Sequence, residues 1–254
     1  MYTVNEDSKD QLGDRMKAYE KDSLTFTHIP KEFYAVMRID GRSFSNFVKK
    51  LVGAGLVIRP RDKNFEEVFT YAVKQTCKEF HFVTAFHQSD EISFVFPEQT
   101  ETSNLPFDGK MAKLLSVVPS FFTSAFLKKY HEKFGDIPAV SFDARIAIFP
   151  TKVEATNMVL WRFFDARRNL IQDMAHHKFG HKKLHGVSTS DKYQMLGRPE
   201  INPGNFIKRT LYEIQSEQTG NTVVRSTYDT ITNVDFSIMS FEERQNFIFS
   251  KNAS

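Results

Sequence analysis

FYAVMRIDGRSF, residues 33–44, begins as a β-branched and aromatic run and ends beyond an Asp-Gly turn. Residues 33–40 have the composition of a buried strand. Phe44, Phe47, Val48 and Leu51 then fall at helical spacing, so the strand hands the Asp40 carboxylate to a turn. Further on, two short apolar runs, 82–87 and 92–96, are separated only by Gln88, Ser89, Asp90 and Glu91. Runs that close together must pair as an antiparallel hairpin, which puts an acidic pair at its tip.

The remaining elements follow from the same periodicities. Residues 62–80 carry Phe65, Val68, Phe69, Ala72, Val73 and Cys77 on one helical stripe, with Asp62 as N-cap. A second helix is predicted over 110–134, kinked or divided at Pro119 and stopped by Gly135 and Pro138. SFDARIAIF, 141–149, alternates Phe142, Ala144, Ile146 and Ile148 as a strand does, and Pro150 closes it. A long helix is predicted over 152–178. The order strand, helix, strand, strand, helix, strand is that of the split ferredoxin-like unit, the core of polymerase and cyclase palms, so the predicted fold class is α+β. Residues 1–186 are predicted as a palm-type catalytic domain and 187–254 as an appendage packed on it. That appendage holds a hairpin, 210–216 with 221–228, and a last helix over 241–249.

A chain of 254 residues that is 41% apolar is long enough to bury a substantial core. Lys and Arg total 34 against 31 Asp and Glu, a net charge of +3 that suits a polyanionic partner without requiring one. The longest apolar stretch, 114–127, is broken by Ser116, Pro119, Ser120, Thr123 and Ser124. It falls short of the roughly 18 to 20 residues of a bilayer span, so no membrane partner is expected. The single cysteine, Cys77, excludes an internal disulfide, and no charged-then-apolar leader opens the chain; the expected compartment is the reducing cytoplasm. Cys77 lies on the apolar stripe of its helix and reads as packing rather than as a nucleophile.

Carboxylates delivered by two separate elements are what a hard divalent cation requires, and magnesium is the natural occupant. Two ions roughly 3.5 to 4 Å apart would be clamped by Asp40 and Asp90, with the Gly41 carbonyl filling a further position. Adjacent strand residues face opposite ways, so Asp90 is read as the ligand and Glu91 as its support or a partial ligand. Each motif alone is also ordinary turn chemistry; their pairing on neighbouring strands of one sheet is the informative feature.

RIDGRSF, 38–44, and QSDEISFVF, 88–96, resemble the two catalytic motifs of the tRNA-His guanylyltransferase family. KMAKLLSVVPSFFTSAF, SFDARIAIFP and LWRFFDARRN resemble later segments of that family, and HGVSTSDKYQML and INPGNFIKRTLYE do so more weakly; coverage is about residues 10–215. The resemblance implies a palm fold, two magnesium ions, ATP and GTP as substrates, tRNA as partner, a dimer-of-dimers tetramer, and addition of nucleotides to RNA 5′ ends in the 3′-to-5′ direction. It assigns catalysis to Asp40, Asp90 and Glu91, and metal binding to Asp40, Gly41 and Asp90. It places Gly41, Arg42, Ser43, Phe44, Arg59, Asp62, Ser89, Lys110 and Lys113 at the nucleotide. Lys110 stands where the family often has arginine, which keeps the charge and loses the bidentate fork.

Arg162, Arg167, Asn169 and Lys192 are the candidates for RNA contact. The arginines either meet RNA phosphates or decorate an exposed helix face. Where eukaryotic members carry His-Ile-Asn-Asn, this chain has Arg167, Arg168, Asn169 and Leu170, closer to the bacterial and archaeal guanylyltransferase-like branch, whose members resemble repair enzymes for truncated tRNA 5′ ends. His176, His177, His181 and His185 crowd one segment with Lys178, Lys182 and Lys183. That segment reads as a solvated or RNA-facing basic stretch or, on the i,i+4 spacing of His177 and His181, as a metal site. The readings that compete with a tRNA 5′-end nucleotidyltransferase are another palm polymerase or cyclase, and an RNA-binding palm without catalysis.

Overall fold

The structure is a computed structural model and describes residues 9–58, 62–100, 105–215 and 221–250. The palm strands are β1 (Tyr34–Gly41), β2 (Thr84–Gln88), β3 (Glu91–Val95) and β4 (Phe142–Phe149). They lie in the order β4-β1-β3-β2, every neighbour antiparallel, which is the split ferredoxin-like arrangement that the element order predicts. Helix α2 (Phe44–Gly53) follows β1; α3 (Lys63–Phe80) and α4 (Met111–Phe134) are the two crossovers.

Alternation along each strand creates two cores. Ala35, Met37 and Ile39 of β1 face a cluster with Phe44 and residues of α3 and α4, including Phe69, Phe122 and Phe126. Val36, in contrast, faces the opposite cluster, which holds Met158, Phe163 and other residues of α5 (Lys152–Phe179) together with Met16 of α1 (Lys9–Asp22). Helices therefore cover the sheet on both faces. Side chains of the Arg38 and Asp40 set share the second face with Val36, because residues two apart in a strand point the same way.

Asp62 caps α3 as predicted, accepting from the Phe65 amide at 3.0 Å. Helix α4 is not divided: Pro119 is buried within one continuous helix, and only the hydrogen bond to the carbonyl of Leu115 is forfeited. After the short α6 (Thr189–Met195), strands β5 (Asn205–Gln215) and β6 (Thr222–Ile231) form a hairpin longer than predicted. Residues 205–208 of β5 pair with 84–87 of β2, so the hairpin carries the sheet on to six strands. Gly204 makes that junction possible, since a Cβ there would stand 2.3 Å from the carbonyl oxygen of His87. The last helix, α7 (Phe241–Phe249), is anchored by Lys208, whose fully buried ammonium donates to the carbonyls of Phe247 and Ser250 and to the Thr84 hydroxyl.

Candidate active site

The acidic centre forms at one end of the sheet, where β1 finishes and β3 starts. Asp40 lies directly opposite Glu91 on β3 and opposite Asp143 on β4, so the three carboxylates issue from one face of three adjacent strands. Asp90 occupies the two-residue turn before β3. Its carbonyl accepts from the Gly41 amide at 3.2 Å, tying the turn to the end of β1. Ser89 takes up a left-handed conformation, φ 50°, and donates its hydroxyl to the Asp90 carboxylate at 3.1 Å. Ser43, at the start of α2, is also left-handed, with φ 54°. Gly41 is dictated by packing: a Cβ would come within 2.6 Å of the Phe44 ring.

Two of the carboxylates are held away from easy ionisation. Burial, and then the negative charges of Glu91 and Asp143, push Asp40 above the usual aspartate range. Burial also pushes Asp90 up, against the pull of its own backbone amide and the Ser89 hydroxyl. Glu91 is tied down instead. Arg162 of α5 grips it with Nε at 2.6 Å from one oxygen and Nη2 at 2.7 Å from the other, and both side chains are buried. Arg38 adds Nη1 at 3.7 Å and donates through Nη2 to Glu20 of α1 at 3.1 Å. Asp165 receives Arg162 at 3.4 Å and Arg168 at 2.5 Å. A chain of fixed charge thus runs from α1 through the sheet to α5, with Asp40 and Asp90 outside it: among the described residues neither forms an ion pair.

The sequence-predicted residues do not all gather here. Gly41, Arg42, Ser43 and Ser89 surround the acidic end. Phe44 does too, but its ring is in the core against Phe47, Phe65, Phe69, Phe126 and Phe142, leaving only its backbone for a nucleotide. Asp62 spends one oxygen on the Phe65 amide and the other on the Ile58 amide, 3.2 Å away. Arg59 lies outside the described residues. Lys110 and Lys113 are exposed at the start of α4, where Lys110 bridges to His28 and Gly109 accepts from Ile29. That is the end of the sheet where β1 begins, six residues and about 20 Å along the strand from Asp40. One chain therefore does not bring these lysines to the acidic end.

Arg162 and Lys192 are each only 8% exposed, so Arg162 does not decorate an exposed helix face. Arg162 turns inward because the Glu91 carboxylate, buried at the sheet, needs a bidentate partner. Arg167 stacks its guanidinium over Tyr193, 5.3 Å from the ring, and Asn169 is exposed with its amide 3.4 Å from Asp165. The motif reading passed over Asp143, Glu20 and the partner role of Arg38. The alternation of SFDARIAIF already put Asp143 opposite to the apolar set, but only the β1–β4 register shows that it faces Asp40.

A four-stranded β4-β1-β3-β2 palm with carboxylates at the β1 end and the β2–β3 turn is the architecture of a palm-type nucleotidyltransferase. The profile of the tRNA-His guanylyltransferase family, Thg1, matches residues 13–150, more than half the chain. The chain belongs to the tRNA-His guanylyltransferase family. It is 31% identical over 209 residues to an uncharacterised protein of Acanthamoeba polyphaga mimivirus, covering 73% of this chain and 69% of that one. It is 33% identical over 158 residues to the tRNA-His guanylyltransferase of Schizosaccharomyces pombe, covering 61% and 56%. Among solved structures, a bacterial Thg1-like protein in complex with ATP superposes with a TM-score of 0.67 at 25% identity, covering 94% of this chain and 97% of that chain. The chain thus spans little more than half the length of the yeast relative and nearly all of the bacterial one.

Proposed function

We propose that this protein adds nucleotides to the 5′ end of tRNA in the 3′-to-5′ direction, at a site built on Asp40 and Asp90. The observation that carries the reading is their meeting at one sheet end, both with raised proton affinity and neither in an ion pair among the described residues. Such a pair calls for an external positive charge.

Magnesium suits this donor set. Asp40 and Asp90 bring carboxylate oxygens from two elements to one sheet end, and magnesium is commonly held by one or two carboxylates with phosphates and water completing the shell. Asp40, Asp90 and the Gly41 carbonyl would hold two ions, which supply charge neutralisation at the phosphates and acidify an attacking hydroxyl.

The chain's own contribution is positioning. The left-handed Ser43 and Ser89 expose backbone and hydroxyl groups beside the carboxylates, with Arg42 next to them, as a nucleotide triphosphate requires. Glu91, fixed by Arg162, keeps the end of β3 rigid and sets the charge that Asp40 feels. The reaction has two phosphoryl transfers governed by position and charge. The RNA 5′-monophosphate first displaces pyrophosphate from ATP; the 3′-hydroxyl of GTP then attacks the activated 5′ phosphorus and AMP departs. Asn169 and Arg167, in place of the eukaryotic His-Ile-Asn-Asn pattern, support templated repair of truncated ends over recognition of the histidine anticodon. The work belongs in the cytoplasm, where tRNA is available, and no helix among the described residues is long and apolar enough to cross a membrane. Assembly as a tetramer accords with Tyr212 and Ile214, two exposed apolar side chains on one face of β5.

The experiment compares a tRNA-His lacking its first nucleotide with truncated tRNAs of other anticodons, measuring kcat/KM for addition of the base-paired nucleotide. Repair predicts similar values. A preference on the order of a hundredfold, about 3 kcal/mol, for the histidine anticodon would restore identity-specific addition.

A further inference from the structure

Residues of β2 alternate between the two cores: Ala85 belongs to the cluster under α3 and α4, Phe86 to the cluster under α5. His87 shares the face of Ala85, and its ring stacks on Phe69 of α3 at 5.0 Å between centroids and 21° between planes. It is 5% exposed. A buried imidazole needs a hydrogen-bond partner, and Nε2 lies 2.9 Å from the carbonyl oxygen of Ser89. A carbonyl only accepts, so Nε2 carries the proton. The contact reaches back to the hairpin tip two residues along. Ser89 is held there in a left-handed conformation, φ 50°, at a turn position where glycine or asparagine is usual. His87 is thus a buried donor that fastens the carbonyl of an uncommon turn.

We propose that His87 is a positioning residue for Asp90, fixing through the Ser89 carbonyl the direction in which the Asp90 carboxylate is presented. The proposal rests on the reading of Asp90 as a metal ligand and deepens it. The Ser89 carbonyl and the Asp90 amide belong to one planar peptide, so pinning the oxygen also sets the plane of the amide. That amide and the Ser89 hydroxyl are the two donors that draw on the Asp90 carboxylate. The imidazole is itself held in place. Phe69 packs edge-on against Phe44 at 5.5 Å between centroids, and Phe44 is the ring against which Gly41 closes. The aromatic stack therefore joins the β2–β3 turn to the end of β1, where Asp40 and the Gly41 carbonyl lie. Leucine or phenylalanine at this position would suit the apolar surroundings, but neither has a proton to donate to Ser89.

The test compares wild type, His87→Phe, His87→Gln and Asp90→Asn in the full chain. Manganese is the probe, its binding followed by loss of the free-ion EPR signal, and melting is measured without divalent ions. His87→Phe keeps a ring on Phe69 and lacks the donor; it should bind manganese about tenfold or more weakly and melt close to wild type. His87→Gln returns an amide N–H to the reach of Nε2 and should recover most of that loss. Wild-type affinity in His87→Phe would overturn the proposal. An equal loss in His87→Gln would overturn it too, because the effect would then belong to the packed ring. Should His87→Phe fail to fold, His87→Leu, smaller and equally without a donor, carries the same expectation. If Asp90→Asn binds manganese as wild type does, the metal assignment falls and the positioning role with it. If Asp90→Asn alone loses affinity, the metal assignment stands and the role of His87 is refuted.

Discussion

Asp40 is the residue on which the chemistry turns, and its surroundings make its charge costly. A carboxyl pushed up by burial and by Glu91 and Asp143 stabilises the fold least when ionised: its contribution is present at low pH and is lost as pH rises from the ordinary value through the raised one. Asp40→Asn is therefore expected to abolish nucleotide addition while leaving the melting temperature, measured without divalent ions, unchanged or higher. Asp90→Asn should behave alike. A fall of several degrees in either variant would mean that these carboxylates hold the fold together and are not reserved for a ligand. Arg162 gives the opposite case. Arg162→Ala leaves Glu91 buried with Arg38 alone at 3.7 Å, and breaking such a pair costs about 3 to 5 kcal/mol. Denaturant titration checks this, and a loss under about 1 kcal/mol would show the pair to be peripheral.

Among elements, the legible ones were those whose burial is one-sided or total. β1, α3 and the β2–β3 hairpin could be read from runs and stripes because each packs large apolar groups against the sheet. α1 could not: its fourteen residues are mostly charged, and Leu12, Met16 and Tyr19 make a stripe too sparse to stand out until α5 and β4 are there to receive it. At Pro119 the pattern left a kink or a division open, and division is excluded: α4 runs on through the proline with one hydrogen bond missing. Site residues divided on the same ground. Asp40 and Asp90 were legible because turn chemistry fixes their place, whereas the partners of Glu91 and Asp40 depend on register and on a helix seventy residues away, which local pattern does not encode. The β1–α2 junction carries its own prediction. Gly41→Ala must displace the Phe44 ring from its aromatic neighbours; it should lower stability by about 1 to 3 kcal/mol, as overpacking does, and impair nucleotide binding. Wild-type values on both counts would show that the turn tolerates a side chain.

On the scale of the molecule, two helical layers and a six-stranded sheet make one body, closed by α7 through Lys208. Burial pushes the Lys208 ammonium down to about 7. The unfolded chain therefore binds a proton that the folded chain lacks between about pH 7 and the ordinary lysine value of 10.5, and stability rises with pH across that window. Lys208→Met should flatten that rise in denaturant titrations at pH 7 and pH 10; an unaltered slope would place the titration elsewhere. The same body brings Asp40 and Asp90 together at one end of the sheet, on which the proposed nucleotide addition rests. The most direct test of that account incubates the full chain with magnesium, α-labelled ATP, GTP and a 5′-monophosphorylated tRNA lacking its first nucleotide. The account predicts AMP release that depends on the RNA, together with an RNA one or more nucleotides longer at its 5′ end, and neither with Asp40→Asn. Labelled product formed equally without RNA, or extension at the 3′ end, would contradict it.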